Sequence, residues 1–270
     1  MIPNYRKYFE QVTSPQRSMS LSKASIVASA GLYSSHWLSV PDAGGIPTTS
    51  AACTTATTGH ISTFDTSVTA GKKLHVLAGG TSSSSARMSY ILCDRLVHSG
   101  GLDATVTTVQ STNLPSAALP RYTGGRGVYA ALEIYTAVGT TATTAIANYT
   151  SSAGVAGRVS YPCNFGGTGY VNVGRFIQLP LMPGDVGVLT VHNVQLAAST
   201  VSAAGNFGVT LYKPLMTFHG GDSRFTIGYD SFLSSGAQCA QITPDACLFW
   251  LVLAGGTTGI TEITFCYGED

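Results

Sequence analysis

The chain has 270 residues, with 14 Lys and Arg against 13 Asp and Glu, so its formal net charge at pH 7 is +1. Charged residues make up 10% of the chain, against about 25% in an ordinary soluble domain. This composition argues against a nucleic-acid partner, because phosphate binding needs a basic face. It predicts a surface of small polar side chains, which lose little rotamer entropy when other subunits cover them.

The N-terminal segment is basic and carries three aromatic side chains, Tyr5, Tyr8 and Phe9. We predict an extended arm over residues 1–30, with a short helix between Ser20 and Ala30. The three aromatic residues are candidate contacts to a neighbouring subunit, and docking on the chain's own core is the alternative. No long apolar run is present, so neither a signal peptide nor a membrane span is expected.

From Lys73 onward the hydrophobic period is two, which predicts strands. Both faces of the segment 128–135 are largely apolar or aromatic, so this strand is expected between two packed layers. A type II turn is predicted at Met182-Pro183-Gly184-Asp185. Other strands are expected near residues 92–97, 143–149, 175–179, 186–196, 207–212, 247–254 and 261–267. This all-β pattern, without a repeat of roughly 40 residues, favours an antiparallel β sandwich of the jelly-roll type over 31–270.

The segment from Asp94 to His98 combines an acid, a base and a histidine within one predicted strand. Regular alternation would place Asp94 and His98 on the same side and Arg95 on the other. We therefore expect a structural hydrogen bond between Asp94 and His98.

The six cysteines are too widely spaced for a zinc ribbon or a CxxC redox motif. In a reducing cytosol such cysteines are expected to be mostly reduced and buried. Cys247 and Cys266 lie in the last two apolar runs and are the candidate disulfide pair. The histidines lack metal-binding spacing and no serine lies in a nucleophile elbow, so no catalytic, metal-binding or cofactor-binding residue is expected.

Five phrases follow one another in the middle of the chain: Asp94-Arg95-Leu96, Leu119-Pro120-Arg121-Tyr122-Thr123, Leu132-Glu133-Ile134-Tyr135-Thr136, Pro183-Gly184-Asp185-Val186-Gly187-Val188 and the run from Gly205 to Leu215. Their order resembles a family of structural proteins of tailed bacteriophages, usually encoded near head genes. The resemblance covers roughly the middle half of the chain, and more loosely the regions around Trp37 and Trp250. It implies a virion protein assembled in the bacterial host cytoplasm and brings no catalytic motif.

These observations together predict a non-enzymatic capsid decoration or cement protein that self-associates. Its other partners would be the major capsid protein or other virion proteins, with no cofactor, nucleic acid or membrane. The loop carrying Arg121 and Arg126 is a second candidate contact, through carboxylates of a neighbouring subunit. A collar, tail or fibre-attachment protein is one alternative, and a glycan-binding or carbohydrate-active β-sandwich module is the other.

Overall fold

The structure is a computed structural model that describes residues 6, 10, 11, 13, 18–61, 69–84, 88–219, 227–230, 240–255 and 261–269. Strands joined by turns dominate these residues, with a short 3-10 helix at Leu114–Ser116. The strands are β1 (Ser18–Lys23), β2 (Tyr33–Ser35), β3 (Ala51–Ala52), β4 (Leu74–Ser83), β5 (Met88–His98), β6 (Gln110–Ser111), β7 (Tyr129–Thr136), β8 (Thr143–Ser151), β9 (Arg158–Val159), β10 (Cys163–Phe165), β11 (Phe176–Gln178), β12 (Val188–Leu196), β13 (Asn206–His219), β14 (Ile227–Asp230), β15 (Gln241–Ile242), β16 (Leu248–Ala254) and β17 (Thr261–Glu269). The all-β class is therefore confirmed.

The described strands form three antiparallel sheets. The central sheet has the order β11-β7-β13-β5-β16-β2, and β3 also pairs with β5. The terminal sheet has the order β1-β17-β4-β14, with β15 also on β4. The lateral sheet has the order β10-β8-β12-β6, with β9 on β8. Each named strand pair is antiparallel, as predicted.

The core lies on both faces of the central sheet. One face packs against the terminal sheet around Trp250 and Phe265, and against the lateral sheet around Leu132 and Val191. The opposite face holds a third cluster, in which Phe249, Tyr212 and Phe176 of the sheet meet Trp37 and Cys53. Alternate residues of β7 enter the cluster under the lateral sheet and the third cluster, which confirms that this strand is covered on both faces.

Bulges allow the two longest strands, β5 and β13, to pack against both the terminal sheet and the lateral sheet. In the pairing of β5 with β13, Leu96 and Leu215 have no residue opposite them. Each extra residue reverses the alternation of side chains. As a result Leu92 and Val97 of β5 point to the same side, Leu92 under the terminal sheet and Val97 under the lateral sheet.

The N-terminal prediction is wrong in one respect. Ser18–Lys23 is strand β1, with alternating exposed and buried side chains, and it pairs with β17 along its whole length. The helix expected between Ser20 and Ala30 is therefore not formed, because edge pairing in the terminal sheet wins over the weak helical preference of small residues. The turn at 182–185 is confirmed, since the Asp185 amide donates to the Met182 carbonyl at 3.1 Å and Gly184 has φ +86°.

Substituting Gly208 tests the close approach of β13 to the turn after β5. A Cβ atom at Gly208 would lie 1.9 Å from the carbonyl oxygen of Ser99, a backbone atom held by its neighbours. We expect Gly208→Ala to lower the free energy of unfolding by about 2 kcal/mol or more, because overpacking forces the backbone to move. In urea denaturation Gly45→Ala is the matched control, since a Cβ atom there meets nothing within 4 Å. Equal midpoints for the two variants would contradict the packing described.

Candidate functional site

A buried polar cluster lies on the face of the central sheet that Trp37 covers. This cluster, the Arg95–Glu133 network, consists of Arg95, His98, Glu133, Tyr135 and Thr210, supplied by β5, β7 and β13. Arg95 Nη2 lies 2.8 Å from Glu133 Oε2, and the two side chains are 0% and 1% exposed. Burying two opposite charges removes their hydration, so the pair requires further hydrogen bonds to be tolerated.

The network supplies part of those bonds from within. The Thr210 hydroxyl donates to Glu133 Oε2 at 2.6 Å, and Arg95 Nη2 donates to the Tyr135 hydroxyl at 2.8 Å. Arg95 Nε donates to His98 Nδ1 at 3.0 Å. Since Nδ1 accepts, the neutral ring carries its proton on Nε2.

Trp37 covers the guanidinium of the network. The Arg95 Cζ atom lies 4.1 Å from the centre of the Trp37 ring and 5.4 Å from that of Phe249. This is cation–π geometry, which offsets part of the lost hydration of the arginine. Gly44 makes room for the indole, because a Cβ atom at Gly44 would lie 2.2 Å from the Trp37 ring.

The bulge at Leu96 explains why the prediction for Asp94 and His98 is wrong. It reverses the alternation after Arg95, so Arg95 and His98 share a side and form the hydrogen bond. Asp94 instead binds Arg121. The sequence pattern contains no signal for this reversal, since a bulge depends on how the partner strand is paired.

Arg121 is engaged inside the subunit, which argues against its predicted role as a contact to a neighbouring subunit. Its Nη2 and Nε atoms donate to the two oxygens of Asp94 at 2.6 and 2.8 Å, and its side chain is 8% exposed. Nη2 also donates to the carbonyl oxygens of Cys53 and Arg95 at 3.0 and 3.1 Å. This guanidinium joins the loop before β7 to β5 and has little surface left for another subunit's carboxylate.

Of the other predicted contact residues, the structure describes Arg126. Arg126 is exposed, and its carbonyl oxygen accepts a hydrogen bond from Lys213 Nζ. Its contact to a neighbouring subunit stays a prediction. Tyr5, Tyr8 and Phe9 lie outside the described residues.

The predicted disulfide between Cys247 and Cys266 is not formed, and both cysteines are free. Cys247 precedes β16 of the central sheet, whereas Cys266 lies in β17 of the terminal sheet. The last two apolar runs therefore belong to different sheets, although the sequence suggested adjacent strands. The side chain that does meet Cys247 is Cys53, from the loop that covers the central sheet.

Glu133, His36 and His60 are among the buried groups whose pKa values are shifted. Burial raises the pKa of Glu133, but the Arg95 guanidinium and hydrogen bonds from Thr210 and Ser35 together outweigh this effect, and the net pKa lies below the ordinary value. Burial lowers the pKa of His36 to about 3 and that of His60 to about 4. Both histidines are therefore neutral in the folded protein at physiological pH. His60 Nδ1 accepts the Leu248 amide at 3.0 Å, which fixes its ring against β16.

A surface groove of about 460 Å³ lies beside the end of β1. Its walls come from the segments 24–27 and 38–40, with Ala137 and the turn 172–174 on the other side. Val27 and Val40 are 62% and 61% exposed, and Val173 is 40% exposed. Aliphatic side chains presented together in a concave surface make this groove a candidate contact surface.

The charged groups of the Arg95–Glu133 network are not accessible to a solute, so the network has a structural role. Arg95 and Glu133 are occupied by each other and closed off by Trp37. Within the described residues, no group of three or more His, Cys, Asp or Glu has the geometry of a metal site. The described part of the chain also contains no helix long and apolar enough to cross a membrane.

Comparison with known proteins identifies no relative, because no family model, curated protein or solved structure matches the chain.

Sequence reasoning missed the importance of Glu133 and Arg95. The available signal was a charged residue inside an otherwise apolar alternation: Leu132-Glu133-Ile134 in one strand and Arg95-Leu96-Val97 in another. Charged residues are rarely buried without a partner, so a basic and an acidic residue in apolar strands are expected to form a buried pair. Their pairing across β13 could not be derived, because it requires the strand order.

Proposed function

We propose that the protein is a structural component of a tailed-phage virion, a capsid decoration or cement protein of the jelly-roll type. In this proposal it stabilises the head through contacts between its own copies and with the major capsid protein or other virion proteins. It is assembled in the bacterial host cytoplasm and acts on the particle without an enzymatic step, a cofactor, nucleic acid or a membrane.

The distribution of charge carries the proposal. The chain has only 14 basic and 13 acidic residues. Among those that the structure describes, five are buried: Lys23, Asp94, Arg95, Glu133 and Arg175. Arg121 is nearly so. Charge on the surface is therefore sparse, and ten large hydrophobic residues of the described chain are exposed. Depletion of charge is typical of the centre of protein interfaces, so this surface suits a lattice of repeated contacts.

The burial of the two tryptophans supports a structural role over glycan binding. Trp37 and Trp250 are each 1% exposed. Exposed aromatic rings are the usual platforms for sugars, and neither indole is available for stacking. Trp37 instead covers Arg95, and Trp250 packs edge-on against Phe218 and Phe265.

Quantitative mass spectrometry of purified particles tests the proposed function. We expect a fixed ratio of this chain to the major capsid protein, with hundreds of copies on each particle. A count near six or twelve would assign the chain to the neck, tail or baseplate instead. Absence from the particle would refute the virion role.

Charging the groove is expected to weaken attachment. The double variant Val27→Lys and Val40→Lys places two cations on the exposed aliphatic rim, and their burial in an interface should reduce affinity for undecorated particles by about tenfold or more. Val109→Lys is the matched control, because Val109 is 57% exposed and lies outside the groove. Pelleting with particles measures the affinity, and an equal effect of the two sets of substitutions would contradict a specific role for the groove.

A further inference from the structure

Two cysteines that are far apart in sequence meet on one edge of β5. The Cys53 amide donates to the Leu96 carbonyl at 2.8 Å, and the Arg95 amide donates to the Cys247 carbonyl at 2.8 Å. β3 continues this edge beside Val97 and His98, while β16 occupies it from Met88 to Asp94. The two segments therefore abut end to end, and their cysteines lie opposite consecutive residues of β5.

The bulge at Leu96 produces this meeting. In a regular strand the Arg95 amide and the Leu96 carbonyl point to opposite edges. The extra residue turns the Leu96 carbonyl toward the edge that β16 uses. Cys53 and Cys247 then come close enough for their side chains to hydrogen bond.

A second link holds the two cysteines in place. The Arg121 guanidinium donates to the Cys53 carbonyl at 3.0 Å and to Asp94 Oδ1 at 2.6 Å. The same Asp94 oxygen accepts the Cys247 amide at 2.9 Å. The backbones of the two cysteines are thus bridged by one ion pair, which limits how far they can separate.

We propose that Cys53 and Cys247 are a disulfide-forming pair, oxidised by a low-molecular-weight disulfide. The Cys53 thiolate attacks one sulfur of that disulfide and releases the first small thiolate. Cys247, losing its proton to the released thiolate, then attacks Cys53 Sγ and displaces the second. Two cysteine thiols are oxidised to one disulfide, and the small disulfide is reduced to two thiols that carry both protons.

The environment favours Cys53 as the first nucleophile. The hydrogen bond from Cys247 lowers the pKa of Cys53, and His98 and Arg95 act in the same direction against burial. The same hydrogen bond raises the pKa of Cys247. An asymmetric pair of this kind has one thiolate ready to attack and one thiol ready to resolve the mixed disulfide. This inference does not depend on the proposed function.

The bond would covalently link the segment that carries Trp37 to the central sheet. Cys53 ends the segment that carries Trp37 over the Arg95–Glu133 network, and Cys247 lies directly before β16. Because the cross-link closes a very long loop of the unfolded chain, it should stabilise the folded protein. Both thiols are buried, so the small disulfide gains access before folding is complete or during local opening.

The test refolds the full chain with oxidised and reduced glutathione and maps peptides without reduction. We expect one intramolecular bond joining the Cys53 and Cys247 peptides, and an upward shift of the urea midpoint relative to the protein refolded with reductant. Cys53→Ala and Cys247→Ala should each abolish both the bond and the shift. Cys163→Ala and Cys266→Ala, which change free cysteines elsewhere in the fold, should retain both.

Two outcomes would overturn the proposal. One is a disulfide map in which Cys53 and Cys247 are both recovered as free thiols from protein that has refolded in oxidised glutathione. The other is a dominant bond between either residue and a different cysteine. If Cys53→Ala fails to fold, the map of the wild-type chain and of Cys247→Ala still decides the question.

Discussion

Replacing Glu133 with leucine is expected to lower the free energy of unfolding by about 3 to 5 kcal/mol, because Arg95 would be left buried without a carboxylate. Arg95 is 0% exposed, and its guanidinium lies between Glu133 and the Trp37 ring. Nothing on this closed face can restore the lost hydration of the cation. Urea denaturation followed by tryptophan fluorescence measures the change, with Trp37 reporting directly on the cover.

A second substitution separates the loss of pairing from the loss of packing. The double variant Arg95→Met with Glu133→Leu removes both charges and keeps apolar volume, so most of the stability should return. Glu10→Leu is the surface control: its partner Arg6 is 90% exposed, and breaking that pair should leave the midpoint nearly unchanged. A Glu133→Leu protein as stable as the wild type would show that the buried pair is not ionised as described.

Acidification from pH 7 to pH 5 is expected to lower the free energy of unfolding by roughly 4 kcal/mol through His36 and His60. The ordinary histidine pKa is 6.5, whereas burial lowers the folded-state values to about 3 and about 4. Below pH 6.5 the unfolded chain therefore binds more protons than the folded chain. The stabilisation is complete above pH 6.5 and is lost progressively as the pH falls toward the folded-state pKa values.

Urea denaturation at pH 7, 6 and 5 checks this dependence. His60→Gln should remove about half of the slope, because glutamine can still accept the Leu248 amide but cannot take up a proton. His219→Gln is the control, since His219 lies on the exposed end of β13 beside Ser89. A free energy of unfolding that does not change between pH 7 and pH 5 would mean that the two buried histidines do not remain neutral.

The strand pattern and one turn could be predicted from local sequence. Alternation over 128–135 predicts a strand with two covered faces, and residues 143–149 and 261–267 fall within β8 and β17. The turn at 182–185 follows from the dihedral preferences of proline and glycine, which act within four residues. Burial of Trp250 also follows from its apolar neighbours alone. Each of these features is decided by contacts between residues close in sequence.

Features that depend on strand partners could not be predicted in this way. The order of strands separates Cys247 from Cys266 and brings Cys53 beside Cys247 instead. The sequence predicts that Arg121 is an exposed loop residue, and only the structure places Asp94 of β5 against it. The sequence also predicts that Glu133 lies in a covered strand, but its partner Arg95 comes from a different strand. The bulge at Leu96 decides which side of β5 faces the network, because one extra residue reverses every side chain beyond it.

The amino-acid sequence by itself determined the all-β class, the low charge and the alternation that buries both faces of β7, since these depend on composition and on neighbours two residues apart. The tertiary structure alone decided which charges are buried together, which cysteines meet and where the exposed aliphatic groove lies. These features join segments separated by tens to hundreds of residues. Only the pairing of strands brings such segments within hydrogen-bonding distance.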